Sequence, residues 1–591
     1  MSVDRNRRIF VQGLAAGGVV GGLGLWPQAA KANASSVLTG RHFQLQIGET
    51  PVNFTGKART AITVNHSLPA PTLRWRQGDE VTVRVENRLP MQSAYGHSTS
   101  IHWHGILLPA DMDGVPGMSF NGIAHGEAYL YRFTLKQSGT YWYHSHSGFQ
   151  EQAGLYGALI VDSAEPEPFS YDRDYVVLLS DWTDLDPRAL FARLKKLSSH
   201  DNYAKRTVSD FIRDSQQRGL EATLSDRRMW GEMRMTPTDI SDVNANTYTY
   251  LMNGTTSLGN WTGLFKPGEK IRLRLINGSA MTYFDVRIPG LKMTVVAADG
   301  QNVHPVTVDE LRIAVAETFD VIVEPGGQEA FTLFAQDMGR TGYVSGTLAV
   351  RQGLRAPLPP MDPRPILSMA DMGHGGSGHA GHGAAAAASA MPAMDHSGHD
   401  MAGMDHSAHA GSTASGMQAH PASENGNPLV DMQTMMPSHR LDDPGIGLRD
   451  NGRRVLRYAD LHSQFKDPDG RDPSRTIELH LTGHMEKFAW SFDGIPFAGA
   501  EPLKLNYGER VRVVLVNDTM MTHPIHLHGL WSDLEDGDGN FQVRKHTVDM
   551  PPGTKRSYRV RADALGRWAY HCHLLYHMES GMMREVRVVE G

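Results

Sequence analysis

From Phe43 to Leu89 apolar and polar residues alternate with a period of two between turn signals, the pattern of strands that bury one face. In "TLRWRQGDEVTVRVENRLP", Thr72 to Pro90, Gly78 and Asp79 separate two such runs. The same order returns in "GLFKPGEKIRLRLING", Gly263 to Gly278, and in "PLKLNYGERVRVVLVND", Pro502 to Asp518. Each copy is a strand, a turn built from Gly and a charged residue, and a second strand ending in Asn. Three copies at wide spacing predict three related β-sandwich domains, an all-β fold.

Two stretches break the alternation. Between Asp184 and Asp239, Asp186 is placed to cap a helix with Pro187 at its first position and Leu190, Leu194 and Leu197 on one face. This predicts a helical insertion over about 185–239. From Ala356 to about His439 the chain is rich in Gly, Ala, Ser, His and Met, and Met-Asp-His-Ser occurs at Met394 and again at Met404. Nothing there repeats at a core-forming period, which predicts a disordered Met/His-rich linker. The expected plan is a leader over 1–34, domains over 35–165, 166–355 (with the insertion) and 441–591, and the linker over 356–440.

Composition sharpens this picture at three points. The leader pairs Arg7 and Arg8 ahead of Phe10 and a glycine-rich apolar run, and "ANA" at Ala32 to Ala34 offers a cleavage site. It resembles a twin-arginine signal, so export by that machinery, a periplasmic location and a mature start near Ser35 are expected. No later segment approaches a membrane-spanning length, so no stable membrane insertion is expected. The formal charge is −7, and Arg5, Arg7, Arg8 and Lys31 against Asp4 put +3 on residues 1–34, leaving −10 for the rest, a poor match to nucleic acid. One cysteine excludes an intramolecular disulfide, while 29 His and 29 Met supply borderline and soft metal ligands.

That cysteine sits in "HCHLLYHMESGMM", His571 to Met583. On a strand, residues two apart share a face and neighbours oppose, so His571 and His573 look one way and Cys572 the other. If both sides hold metal, a few covalent bonds join two centres. The chain repeats the His-x-His form at His102 and His104, His144 and His146, and His526 and His528, making four pairs with His571 and His573. For the opposite face, His577 and Met582 follow the cysteine, and His523 in "HPIHLHG" lies at an odd offset from His526. A thiolate, two imidazoles and a weak methionine are a blue-copper ligand set.

At these residues the chain resembles the multicopper oxidases, with "HWHG", "HSH", "HPIHLHG" and the cysteine motif in the family's order. The likeness spans about Phe43 to the C-terminus apart from the linker. It implies three cupredoxin-like Greek-key β-sandwich domains and four copper ions. By resemblance, Cys572, His523 and His577 would hold a type 1 copper with Met582 as axial ligand. His102 and His526 would hold the type 2 copper. His104, His144, His146, His528, His571 and His573 would hold a type 3 pair. Electrons would pass through Cys572 to a cluster that reduces dioxygen to water, and Asp113 matches the position of a proton-supplying carboxylate. After His577 comes Met578 and only then Glu579, where some relatives carry a glutamate directly after the histidine, so the motif identifies no second carboxylate.

The leader, "MRMTPTDISDV", "TYTYLMNG" and the linker together resemble the periplasmic copper-resistance members of that family. The favoured reductant is Cu(I), with Met520 and Met521 as candidate thioethers near the type 1 site and the acidic stretch Ser532 to Asn540 as a candidate for drawing cations to that rim. Small aromatic reductants such as phenols are expected as incidental substrates, and the linker is a candidate for additional copper. Copper storage and a laccase-like phenol oxidase are the alternatives, and a monomer is expected.

Overall fold

A computed structural model describes residues 36–373 and 417–591. The expected leader and the middle of the expected linker lie outside the described residues. Six sheets arise in pairs from successive thirds of the chain. The three repeated strand pairs occupy the same place in each. Their first strands, Ala70–Arg76, Thr262–Leu264 and Leu503–Asn506, run parallel to Tyr156–Asp162, Tyr343–Ala349 and Met583–Val589. Their second strands, Glu80–Asn87, Ile271–Asn277 and Arg510–Asn517, cross to the other sheet, parallel to His42–Val52, Arg173–Trp182 and Arg475–His484. Such crossings separate a Greek key from a simple meander, and the cupredoxin-like fold class is as expected.

The Asn ending each second strand is a corner pin. Asn87, Asn277 and Asn517 are fully buried. The Nδ2 of each donates to two backbone carbonyls: His97 and Ile123, Thr282 and Ile313, Met521 and Met550. The Oδ1 of each accepts from the backbone N–H two residues on, at Leu89, Ser279 and Thr519. One side chain thus satisfies three backbone groups that the sheet leaves unpaired.

Asp186 caps the helix Pro187–Lys196 by accepting from Arg188 N–H, and Leu190 and Leu194 are buried. Leu197 departs from expectation: the helix stops before it and it is 50% exposed. Two further helices, Val208–Arg218 and Leu220–Glu232, complete the insertion. The packed chain also reaches further into the expected linker than composition suggested. Leu367, Met372 and Met432 are buried, and Thr434 N–H donates to Asp518 at 2.7 Å. Isolated anchors of this kind carry no periodicity to read in sequence. Buried apolar residues of all three sandwiches form one connected core.

Candidate metal centres

The strands His523–Leu527 and Gly566–Cys572 pair antiparallel, which sets Cys572 opposite Ile525. The short helix Leu575–Glu579 returns His577 to the cysteine. Cys572 Sγ lies 3.5 Å from His523 Nδ1 and 3.9 Å from His577 Nδ1, and the two nitrogens are 3.2 Å apart. A triangle with these edges has its centre about 2.1 Å from each atom, the length of a bond from a first-row divalent metal to nitrogen or sulfur. Burial holds both imidazoles well below their usual pKa, hence neutral. Their outer nitrogens have partners, His523 Nε2 with Thr519 Oγ1 at 2.7 Å and His577 Nε2 with Asp242 Oδ2 at 2.8 Å. With a proton on each Nε2, two lone pairs face one another beside the sulfur. A bound cation relieves that arrangement. Met582 is fully buried, and its carbonyl accepts from Cys572 N–H at 3.1 Å.

The four His-x-His pairs meet between the first and third sandwiches. His102 pairs with His144 across one sheet and His526 with His571 across another. Six rings separate into two triangles. In one, the His104, His144 and His573 centroids are 4.9 to 5.8 Å apart. In the other, His146, His528 and His571 are 5.0 to 5.2 Å apart. The His102 and His526 rings lie 5.8 Å apart.

Five of the nitrogens facing outward are held by acceptors, whereas the Nδ1 atoms of His104 and His573 have no hydrogen-bond partner. His102 Nδ1 donates to Asp113 O at 2.8 Å, His526 Nδ1 to His546 O at 2.5 Å, and His571 Nδ1 to Cys572 O at 2.9 Å. His144 Nδ1 meets Glu151 Oε2 at 2.6 Å, and His528 Nδ1 meets Asp113 Oδ2 at 2.9 Å. Inward, the Nε2 atoms of His102, His104, His144, His526 and His573 are buried without a hydrogen-bond partner. His571 Nε2 sits 2.9 Å from that of His528 and 3.3 Å from that of His146. Burial lowers the pKa of His104, His144, His146, His526, His528 and His573 well below the ordinary range, and takes His571 down to about 4. A knot of buried imidazoles with unpartnered inward nitrogens fits bound metal cations.

Asp113 belongs to this knot rather than to a free turn. Gly114 follows it at φ +81°, and a Cβ there would lie 1.8 Å from Ile101 O. Glycine therefore lets the Asp113 loop press onto the strand that carries His102.

Sequence reasoning missed three residues. Glu151 is fully buried against His144, its Oε1 has no partner, and burial with the nearby Asp181 raises its pKa well above the carboxylate range. The polar run Gln150, Glu151, Gln152 just after "HSH" was its only signal. Asp242, reaching His577 from the end of the insertion, lay inside "MRMTPTDISDV" unremarked. His546 packs 4.7 Å from His104 and orients His526 through its carbonyl, yet a lone histidine between Lys545 and Thr547 carries no spacing to mark it.

Asp242 also lines an open cleft of about 1150 Å³ between the insertion and the third sandwich, together with Met235, Met485 and Met521. Met520 points elsewhere, into a second cavity beside Asp549. The acidic stretch does not act as the expected cation lure at its buried end. Asp533 is paired with Arg544, and Glu535 with Arg512 and Arg559, so those charges are neutralised within the sheet.

Family models described as multicopper oxidase match residues 46–166, 173–353 and 470–591, and the chain belongs to the multicopper oxidase family. Within it, the chain is similar to Copper resistance protein A of Escherichia coli, 63% identical over 100% of both chains. It is 65% identical to Copper resistance protein A of Pseudomonas syringae pv. tomato, again over 100% of both. Fet3p, a multicopper oxidase that functions in iron import, shares the fold with a TM-score of 0.62 at 19% identity, covering 93% of this chain and 90% of that one.

Proposed function

We propose that this protein oxidises Cu(I) to Cu(II), and phenols incidentally, at the expense of dioxygen, in the service of copper tolerance in the periplasm. The observation that carries the choice of reductant is the cleft at the Asp242 end of His577. There Met235, Met485 and Met521 offer thioethers and Asp242 a carboxylate. Soft thioethers favour Cu(I), and a carboxylate favours the Cu(II) product. The names of the two Copper resistance protein A relatives support copper tolerance as the setting. The Arg7 and Arg8 leader supports export.

Cys572, His523, His577 and Met582 would together hold a type 1 copper. His102 and His526 would hold a type 2 copper, and the two ring triangles a type 3 pair, four coppers in all. Bound there, copper supplies one-electron acceptance at the cysteine and four-electron reduction of dioxygen to water at the cluster. The chain's own residues do the rest. Asp242 accepts the Nε2 proton of His577 and so keeps its Nδ1 lone pair turned to Cys572. Cys572 is bonded through one residue of backbone to His571 and to His573, which makes a covalent bridge between the two sites. Asp113 fixes His102 through its carbonyl and His528 through Oδ2, and its Oδ1 lies 3.3 Å from His102 Nδ1. Glu151 fixes His144 in the same way.

The test is oxygen uptake by the copper-loaded protein with Cu(I) as sole reductant, beside uptake with a phenol. Faster uptake with Cu(I) is expected. No uptake with Cu(I) by fully loaded protein overturns the choice of reductant.

A further inference from the structure

A separate set of metal-binding side chains converges where the chain re-enters the third sandwich after the Met/His-rich stretch. His420 and Glu424 lie four residues apart in a turn, His480 is on the strand Arg475–His484, and Asp518 directly follows the corner residue Asn517. His420 Nδ1 is 3.3 Å from Glu424 Oε2 and 3.2 Å from Asp518 Oδ2. His480 Nδ1 is 2.6 Å from Asp518 Oδ2 and 3.6 Å from Glu424 Oε1. All four donor atoms lie within 4.8 Å of one another. The Glu424, His480 and Asp518 side chains are at most 1% exposed, and that of His420 is 11% exposed.

Two further observations point to a cation rather than to a plain ion-pair network. The outer nitrogens of both imidazoles are already engaged, His420 Nε2 with the Thr434 carbonyl at 3.1 Å and His480 Nε2 with Glu478 Oε1 at 3.2 Å. That arrangement presents Nδ1 inward, as the acceptor behind a metal-bound histidine does. In addition Glu424 Oε1, fully buried, and His420 Nδ1 have no hydrogen-bond partner although both face the centre. Asp518 is likewise held from behind, its Oδ1 accepting from Thr434 N–H at 2.7 Å.

We propose that His420, Glu424, His480 and Asp518 bind one divalent first-row metal ion, Cu(II) in preference to Zn(II), which clamps the segment following the Met/His-rich stretch to the third sandwich. Two imidazoles and two carboxylates are a borderline set with the size and donor type for either ion, and the general affinity order places Cu(II) first. Two buried carboxylates facing two neutral imidazoles also need two positive charges, which one divalent ion supplies. The site shares no residue with the Cys572 triangle or the histidine knot and does not depend on which reductant the oxidase uses.

The experiment takes the full-length protein, loaded with copper only until the blue absorption of the cysteine site stops rising, and titrates it with Zn(II), which is colourless and leaves that absorption as a check on folding. Bound zinc is counted by elemental analysis after gel filtration for the wild type, His420→Ala and Glu424→Gln. The wild type is expected to retain one more zinc per chain than either variant, and that ion to bind at least about tenfold more weakly in the variants, with blue absorption unchanged. Equal zinc content and affinity in all three overturns the proposal. If Glu424→Gln loses the blue absorption, His420→Ala decides alone, since its side chain lies at the edge of the site. A parallel titration with Cu(II) is expected to give tighter binding than Zn(II), and the reverse order overturns the choice of copper.

Discussion

Asp242 Oδ2 lies 2.8 Å from Nε2 of His577, joining the end of the helical insertion to the imidazole beside Cys572. The carboxylate is buried and lines the cleft beside Met235, Met485 and Met521, so under the proposed function it touches the route by which an electron would reach the cysteine site. Asp242→Asn keeps a hydrogen-bond acceptor but removes the charge. The expected result is a fall of about tenfold or more in kcat/KM for Cu(I), with a much smaller change for a neutral phenol. Equal losses for both reductants would show that Asp242 only orients the ring.

Asp113→Ala removes the partner of His528 Nδ1 but leaves the backbone carbonyl that holds His102. Oxygen reduction should slow by about 10–100-fold, the usual cost of removing the acceptor behind a metal-binding histidine. The blue absorption of the cysteine site should persist. Parallel measurement of copper content and oxygen uptake separates weaker metal binding from slower turnover.

Cys572→Ser replaces the only cysteine in the chain. Loss of both blue absorption and oxidase activity is expected. Retention of either, measured on protein of known copper content, would refute the ligand assignment.

Gly105 follows "HWH" at φ +80°, and a Cβ there would come within 2.5 Å of His546 Cδ2 and 3.0 Å of Tyr141 Cδ1. Gly105→Ala adds backbone strain of about 1–3 kcal/mol and pushes His546 off the carbonyl position that holds His526. Thermal unfolding should show a lower Tm, and elemental analysis less copper, than in the wild type.

Asn277→Ala strands the carbonyls of Thr282 and Ile313 and the N–H of Ser279 inside the middle sandwich. Each buried group left unpaired costs about 1–3 kcal/mol. Urea unfolding should reveal a clear loss of stability, while blue absorption under folding conditions stays at the wild-type level.

Local periodicity was enough to make much of this molecule legible. The two-residue repeat of a strand puts both imidazoles of a His-x-His pair on one face, so "HWH", "HSH", "HLH" and "HCH" announced a histidine cluster with a thiol behind it. The repeated strand pairs ending in Asn87, Asn277 and Asn517 announced three related sandwiches, and the Asp186-Pro187 start announced a helix. Where the pattern is sparse, as at Leu197 and at the anchors Leu367, Met372 and Met432, reading by periodicity failed.

What the sequence determined by itself is the donor inventory and its local facing, because residue type and strand geometry depend on neighbours one or two positions away. What only tertiary structure decided is which donors meet. Asp113 reaches His528 across 415 positions and Asp242 reaches His577 across 335. His420 and His480 come together only because the segment after the Met/His-rich stretch folds back onto a strand of the third sandwich. Such pairings are set by how whole sheets pack, and packing depends on buried surfaces contributed from the entire chain rather than on any spacing within one motif.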